Sequence, residues 1–253
     1  MNAPSSFTML AAPRSVPPSL GDGQQQARTG DSVAAVVHEL RNYLTPVRNG
    51  TELLARRLRG DPEAAPTLAM LRRQVDGMQR LVGDLLDVSR VGSGGLDVRC
   101  EPVVLQEVLE GALAMGRPAA EAKSQRVECE ASSEPLHVLA DPMRLQQALS
   151  NVVLNAVRYS PPGAAIRVCS GRRGSDVQVV VTDNGNGMDA VTQAHLFELY
   201  GTGQRTCREG LGIGLYLVRQ IVHRLGGEVS AHSDGPGCGS TFIITLPAST
   251  AGL

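Results

Sequence analysis

The sequence has 253 residues, enough for one large domain or two ordinary ones, and 42% of them are hydrophobic and 19% charged. The formal net charge of −1 gives no indication of nucleic acid or an anionic membrane as a partner, and an aromatic content of 3% argues against a base-stacking surface. No apolar run approaches the ~20 residues that span a bilayer. The first residues do not show the pattern of a secretory signal, and the cysteines form no CxxC pair. We therefore expect a cytoplasmic protein with reduced thiols and no membrane insertion.

The chain begins with a polar lead followed by two helical segments. Residues 1–30 contain few bulky apolar side chains and are predicted to be disordered. Across residues 31–91, apolar residues recur at alternating spacings of three and four, which is typical of helices that pack as a coiled coil. The first stripe comprises Val37, Leu40, Leu44, Val47, Thr51, Leu54 and Leu58, and the second comprises Leu68, Leu71, Val75, Met78, Val82 and Leu85. The break at residues 60–62 separates them, so the sequence predicts an antiparallel helical hairpin.

Such a hairpin has too little surface of its own to cover both stripes. A second copy of the chain would bury them in a two-fold four-helix bundle, so we expect a homodimer. Periodicity alone is equally compatible with a hairpin that closes on itself within one chain and carries no chemistry.

The remaining residues change from helical periodicity to a mixture of strands and helices. Residues 92–100 begin with a glycine-rich stretch and are predicted to be a linker. Strands are predicted at 125–131, 164–170, 176–182, 227–231 and 240–246, and helices at 104–116, 141–159 and 212–225. This order predicts an α/β sandwich over residues 101–248, with one mixed sheet covered on one face by helices, and a short tail at 249–253. The expected fold class is α+β, a helical hairpin followed by this sandwich.

His38 follows the stripe residue Val37, which predicts an imidazole beside the buried stripe and facing water. A lone histidine at such a place is ordinarily a solvated helix residue, but its neighbours suggest chemistry. A neutral imidazole is a good nucleophile toward phosphorus, and the Glu39 carboxylate could accept a hydrogen bond from the other ring nitrogen. The Asn42 amide, one turn along, could orient a water, and Pro46 should kink the helix just beyond.

The helix predicted over 141–159 carries a polar face made by Asn151, Asn155, Arg158 and Tyr159. Amide oxygens suit Mg²⁺, and a guanidinium group suits phosphate oxygens. An ordinary polar helix face is the plain alternative when this segment is considered alone.

Two glycine-rich segments follow in the second half of the chain. Asp183 ends a predicted strand before Gly185 and Gly187, and a carboxylate there could accept a hydrogen bond from the exocyclic amine of adenine. Residues 210–215, Gly-Leu-Gly-Ile-Gly-Leu, open the last helix, where exposed N–H groups attract anions. The basic, glycine-rich stretch 200–210 is predicted to be a mobile lid over phosphates. Each segment alone also fits an ordinary turn or loop.

These segments together resemble the sequence boxes of the sensor histidine kinases. Residues 37–42 with 44–46 resemble the phospho-acceptor box, and residues 81–90 resemble the end of the second dimerisation helix. Residues 151–159 resemble the asparagine box, and residues 195–198 the phenylalanine box. The segments that begin at Asp183 and Gly210 resemble the two glycine boxes. The boxes occur in the order of the family over residues 31–247.

The resemblance implies a dimerisation and phosphotransfer hairpin joined to a Bergerat-type sandwich that binds ATP and Mg²⁺. It implies that His38 accepts a phosphoryl group, that Glu39 is the acid/base helper, and that Asn42 supports phosphatase action. The partners that it implies are a second copy of the chain, the receiver domain of a separate response regulator, and a separate sensory protein touching residues 1–35 or the bundle.

The resemblance also assigns roles in the nucleotide site. Asn155 would hold Mg²⁺, Asn151 and Arg158 would contact phosphates, Tyr159 would pack at the nucleotide, and Asp183 would read adenine. The glycine-box members of the ATP-binding site are Gly185, Gly187, Gly210, Gly212, Gly214 and Leu215.

The sequence departs from the family at a few positions. Tyr43 stands where Pro is frequent, Arg158 replaces the usual Lys, and residues 208–210 replace a Gly-Thr-Gly opening. The altered opening keeps a kinase-degenerate scaffold or phosphatase as an alternative. An ATPase of the gyrase, mismatch-repair and chaperone superfamily is a third reading, because it would share the sandwich but would not need the box around His38.

Overall fold

The computed structural model describes the backbone of residues 21–92, 96–201 and 212–249, with the side chains in these ranges except those of 21–36 and 38. Parts of the predicted lead (1–20), linker (93–95), lid and second glycine box (202–211) and tail (250–253) lie outside the described residues.

Two long helices form the N-terminal hairpin. Helix α1 spans Gly21–Arg57 and continues through Pro46, and helix α2 spans Ala64–Gly92. Helix α1 thus begins within the stretch predicted to be disordered. Residues 24–28 are mostly good helix formers, and extending a helix that already exists adds one hydrogen bond for each residue fixed. Between the helices, the Asp61 carboxylate caps α2 by accepting the N–H groups of Glu63 and Ala64 at 2.9 and 3.2 Å.

Only part of the predicted apolar stripe is covered within one chain. Val37 and Thr51 on α1 are 0% and 7% exposed, and Leu68 and Val75 on α2 are also buried. Six other stripe positions keep between 39% and 50% of their surface exposed, and they are Leu40, Val47, Leu54, Leu58, Leu71 and Met78. The hairpin therefore presents a row of exposed apolar side chains along its length.

The second half of the chain contains two sheets and four helices within its described residues. The helices are α3 (Leu105–Ala122), α4 (Pro142–Tyr159), α5 (Ala190–His195) and α6 (Gly214–Arg224). Strands β1 (Glu101–Val104) and β3 (His137–Ala140) form a small antiparallel sheet. The larger sheet contains, in spatial order, β2 (Arg126–Glu130), β4 (Ala165–Arg173), β5 (Asp176–Asp183), β7 (Ser240–Pro247) and β6 (Glu228–His232).

The larger sheet is mixed, because β2 and β4 are parallel and all other neighbours are antiparallel. Ile166, Val168, Val179 and Val181 on its central strands are at most 2% exposed, and they alternate with residues on the opposite face. Helices α3, α4 and α6 cover the apolar face with buried side chains that include Leu109, Leu113, Leu149, Val153, Val218 and Ile221. The predicted fold class, a helical hairpin followed by an α/β sandwich, is confirmed.

The structure differs from the sequence interpretation in several short segments. Leu96, inside the predicted linker, is 1% exposed and belongs to the sandwich core. Strands β1 and β3 and helix α5 were not predicted, because segments of four to six residues are too short to show a period. Within the described ranges, none of the helices combines the length and the apolar character needed to cross a bilayer.

Candidate functional site

Helix α4 carries the predicted polar face along one side of the sandwich. Its start is fixed by Asp141, whose carboxylate accepts the Arg144 N–H at 3.1 Å and the Arg99 N–H at 3.0 Å. Further along, the Asn151 amide donates to the Gly214 carbonyl at 3.3 Å, which ties α4 to the first residue of α6. Asn155 follows one turn later and is half-buried.

Asp183 ends β5 beside the last turn of α4. It is 6% exposed, and its carboxylate accepts the Gly185 N–H at 2.8 Å. Burial raises the pKa of this carboxyl group. Hydrogen bonds from the backbone N–H groups of Gly185 and Ser240 lower the pKa, but they do not cancel the effect of burial. A buried acceptor of this kind can bind an uncharged amine without competition from water.

The glycines after Asp183 are required by contacts with the protein itself. A Cβ at Gly185 would lie 2.6 Å from the Tyr159 carbonyl oxygen, and a Cβ at Gly187 would lie 2.0 Å from the Gly235 carbonyl oxygen. Gly187 also has a φ of 64°, a backbone conformation that residues other than glycine rarely adopt. The backbone at these two glycines therefore packs closely against α4 and against the turn before β7.

A hydroxyl group that the sequence interpretation missed holds this loop. The Ser233 hydroxyl accepts the Met188 N–H at 2.9 Å and donates to the Gly239 carbonyl at 2.6 Å. A Cβ at Gly239 would lie 2.1 Å from the Asp183 carbonyl oxygen, so the turn packs directly on the end of β5. A serine in a glycine-rich turn has no distinctive sequence pattern, so only the fold identifies it.

The start of α6 contributes backbone to the same region. Gly212 has a φ of 66°, and the helix begins at Gly214 after Ile213, which makes no side-chain cap. The first N–H groups of α6 therefore have no side-chain acceptor from the cap position. Leu215 packs against the core, and Gly210 lies outside the described residues.

The middle and the last turn of α4 show which predicted residues come together. Asn151 touches α6, while Tyr159 accepts the Asn186 N–H at 3.0 Å through its carbonyl oxygen. Arg158 is exposed in the last turn. The polar face of α4, the carboxylate of Asp183 and the start of α6 thus border one region of the sandwich.

This region suits a nucleotide with a magnesium ion bound through its phosphates. A buried carboxylate lies at one side, and amide, guanidinium and backbone N–H groups lie along α4 and α6. Within the described part of the chain, no group of three or more His, Cys, Asp or Glu side chains could hold a metal ion. A magnesium ion that is bound through nucleotide phosphates needs few protein ligands, and an amide oxygen such as that of Asn155 is of a kind that it accepts.

His38 lies in α1, far along the chain from these elements, and its side chain is outside the described set. Glu39 and Asn42 are exposed. The ion pair between Glu52 and Arg72 shows the register of the antiparallel helices. His38 lies fourteen residues before Glu52, and Leu86 lies fourteen residues after Arg72, so these two positions are at the same height of the hairpin.

At that height a polar cluster joins the hairpin to the sandwich. We call it the interdomain cluster, and it consists of Asp84 and Asp87 on α2 with Arg144 and Gln147 on α4. Asp87 accepts from Arg144 at 2.7 Å and from Gln147 at 2.9 Å, and Gln147 also donates to Asp84 at 3.4 Å. Burial is the main cause that raises the pKa of Asp84 to about 6. No sequence pattern predicted a contact between residues so far apart in the chain.

Two family models match the chain. The model described as "His Kinase A (phospho-acceptor) domain" matches residues 29–94, which include α2 and most of α1. The model described as "Histidine kinase-, DNA gyrase B-, and HSP90-like ATPase" matches residues 140–250, which include α4, Asp183 and α6.

Curated proteins and solved structures show the same likeness. Sensor protein KdpD of Escherichia coli (strain K12) is 31% identical over an alignment of 257 positions, gaps included, that covers 97% of the chain and 28% of KdpD. Sensor histidine kinase ZraS of Klebsiella oxytoca is 32% identical over 222 residues, covering 86% of the chain and 46% of ZraS. The chain therefore spans less than half the length of these relatives. The crystal structure of full-length ShkA in complex with AMPPNP has a TM-score of 0.67 and 27% identity, covering 88% of the chain and 46% of ShkA.

Proposed function

The chain belongs to the sensor histidine kinases of two-component systems, and from this premise we propose that it transfers the γ-phosphoryl group of ATP to His38. The observation that carries the proposal is the buried Asp183 carboxylate next to the polar face of α4 and the start of α6. AMPPNP, bound in the ShkA structure, is a nucleotide analogue, which supports ATP as the ligand of this region.

The residues of the sandwich would bind and orient the nucleotide. The Asp183 carboxylate would accept a hydrogen bond from the exocyclic amine of adenine, and Tyr159 would pack at the nucleotide. Asn151 and Arg158 would contact phosphates, and the N–H groups around Gly212 and Gly214 would face phosphate oxygens at the positive end of α6. Magnesium, held by Asn155 and phosphate oxygens, would neutralise charge on the transferred group.

His38 would supply the acceptor nitrogen. Its Nε2 lone pair attacks the γ-phosphorus, the bond between that phosphorus and the bridging oxygen breaks, and ADP leaves with the electron pair. The ring gains positive charge, and Glu39 would accept the hydrogen bond from Nδ1 and then its proton. Because the phosphorus–nitrogen bond is reactive, the product can pass the phosphoryl group to an aspartate carboxylate of a response-regulator receiver domain. Asn42 would orient a water that hydrolyses the phosphoryl group of the receiver domain, which releases inorganic phosphate and restores the aspartate carboxylate.

A second copy of the chain would complete the hairpin. The exposed row that includes Leu40, Val47 and Leu54 has the spacing of a coiled-coil seam, and a copy related by two-fold symmetry brings the matching row. We propose a homodimer with a four-helix bundle. A separate sensory protein as a partner and a cytosolic location stay predictions.

The test is incubation of the full chain with labelled ATP and magnesium. The wild type should acquire a label that is stable to alkali and lost in acid, and His38→Gln should acquire none. His232→Gln is the matched control, because His232 is an exposed histidine on β6 that hydrogen-bonds only locally to Asp234 among the described contacts. It should be labelled like the wild type.

Undiminished label on His38→Gln would reject the proposal. Absence of label from a wild type that still binds ADP would favour the kinase-degenerate scaffold or phosphatase instead. In that case the Asn42→Ala variant should lose the ability to dephosphorylate a receiver domain.

A further inference from the structure

The last turn of α4 is held by two side chains that follow α3 in the chain. The Lys123 ammonium group donates to the carbonyl oxygens of Val157, Arg158 and Ser160 at 2.8–3.1 Å. The Gln125 amide donates to the carbonyl oxygens of Val157, Ser160 and Pro161 over distances of 2.9–3.1 Å.

These contacts provide partners for carbonyl groups that a helix end otherwise leaves unpaired. The carbonyl oxygens of Val157 and Arg158 accept hydrogen bonds from the Lys123 ammonium group, and that of Tyr159 accepts one from the Asn186 N–H at 3.0 Å. A cation at this position also opposes the negative end of the helix dipole. The end of α4 is therefore fixed from two directions, by residues 123–125 and by the loop after Asp183.

The Lys123 backbone reinforces the same link. Its carbonyl oxygen accepts the Gly163 N–H at 2.9 Å, so both the side chain and the backbone of Lys123 hold the α4 end and its following turn. Burial lowers the pKa of the Lys123 amine, and the neighbouring Arg158 guanidinium lowers it further. Gln125 is 7% exposed, so its amide is largely shielded from water.

The Tyr159 carbonyl transmits this constraint to the nucleotide region. Its oxygen accepts a hydrogen bond from the Asn186 N–H, and it would lie 2.6 Å from a Cβ added at Gly185. The loop that presents the Asp183 carboxylate therefore packs on the turn that Lys123 and Gln125 hold. A shift of the turn would displace the loop and the Asp183 carboxylate relative to Asn155 and Arg158.

We propose that Lys123 and Gln125 are positioning residues for nucleotide binding, because they fix the last turn of α4 and, through the Tyr159 carbonyl, the loop after Asp183. The inference rests on the nucleotide site proposed above. Neither residue belongs to the polar face of α4 or to the glycine segments, and neither needs to touch the nucleotide.

The test compares ADP affinity in Lys123→Met and in a matched control, Gln106→Met. Gln106 is also half-buried, and it makes three hydrogen bonds to backbone atoms of Ser132, Glu134 and Leu136, away from the end of α4. Lys123→Met should raise the Kd for Mg-ADP about tenfold, because charge-assisted hydrogen bonds to the turn are lost. Lys123→Arg, which restores a cation, should recover part of that loss. Gln106→Met should lower thermal stability and leave the Kd within about twofold.

The outcomes separate this inference from the proposed function. If the wild type binds no ADP, the nucleotide site itself is rejected. If the wild type binds ADP and Lys123→Met binds it equally well, only the positioning role is overturned. An equal rise in Kd for Gln106→Met would also overturn it, since the effect would then follow from general loss of stability.

A measurement on the wild type covers the case in which Lys123→Met does not fold. Lys123 is the one lysine of the sequence, so its acetylation can be followed by mass spectrometry without interference from other side-chain amines. Mg-ADP should slow acetylation of Lys123 at least about threefold, because nucleotide binding and the contacts of the ammonium group stabilise the same turn. An unchanged acetylation rate at saturating Mg-ADP would contradict the proposal.

Discussion

The hairpin and the sandwich bury their apolar side chains to different extents. In the sandwich, three helices close over one face of a sheet, and residues such as Val152 and Ile221 are fully buried. In the hairpin, two helices meet along one line, and stripe residues such as Val47 keep half of their surface exposed. A sheet face and its helices complete a core within one chain, whereas a helix pair leaves a second face for another surface. The sandwich therefore completes its core alone, and the hairpin does not.

The largest expected effect tests the incomplete face of the hairpin. Leu53 and Leu54 are adjacent and similarly exposed in one chain, at 52% and 47%, but only Leu54 belongs to the stripe. Leu54→Asp would bury an unpaired carboxylate in each half of a symmetric bundle, so the dimer Kd should rise about a hundredfold or more. Leu53→Asp should leave it nearly unchanged. Sedimentation equilibrium measures both, and a dimeric Leu54→Asp would contradict the proposed bundle.

The contact between the two regions should have a smaller effect. Asp87 and Arg144 have side chains that are 10% and 20% exposed, so a double-mutant cycle to alanine should give a coupling free energy of about 1–3 kcal/mol. The control cycle uses Glu130 and Arg167, an ion pair 3.8 Å apart with both side chains more than 60% exposed, and its coupling should be about 0–1 kcal/mol. Denaturant unfolding gives both values. Equal couplings would show that the interdomain cluster is not held as described.

The raised pKa of Asp84 leads us to expect that the stability of the folded chain depends on pH. Its pKa of about 6 in the folded chain lies above the ordinary value of 3.8, so the folded state binds this proton more tightly. The stability that the proton confers is complete below the ordinary value and is lost as the pH rises through about 6. Asp84→Asn, which mimics the protonated form, should therefore have an advantage in thermal stability over the wild type that grows between about pH 4 and pH 6.5 and then levels off.

The matched control for this pH effect is Asp76→Asn, at an exposed position on the same helix. Its difference in melting temperature from the wild type should stay constant over that range. An Asp84→Asn difference that does not grow with pH would contradict the burial of Asp84 against α4.

The fold could be predicted where a residue pattern runs long enough to show a period. Two stripes with heptad spacing predicted α1 and α2, and the alternation around Val179 and Val181 predicted β5. The four-residue strand β3 and the burial of Leu96 could not be predicted, because both depend on partners distant in sequence. Which stripe positions are covered, Thr51 but not Leu54, also depends on how α2 packs.

The candidate site likewise contains residues that could be predicted from the sequence and residues that could not. Asn151, Asp183 and Gly214 could be selected because each lies in a local pattern of polar and glycine residues, and the fold brings their elements together. Lys123 and Asp87 have no such pattern. Each acts on α4 across a long stretch of sequence, so only the folded chain reveals the contact.

The most direct test of phosphoryl transfer to His38 needs no substitution. After incubation of the wild type with Mg-ATP, trypsin digestion at neutral pH should release the peptide Thr29–Arg41, in which His38 is the only histidine. Fragmentation should place the phosphoryl group on His38. A phosphoryl group on Thr29 or Ser32 of the same peptide, or on a different peptide, would contradict the account.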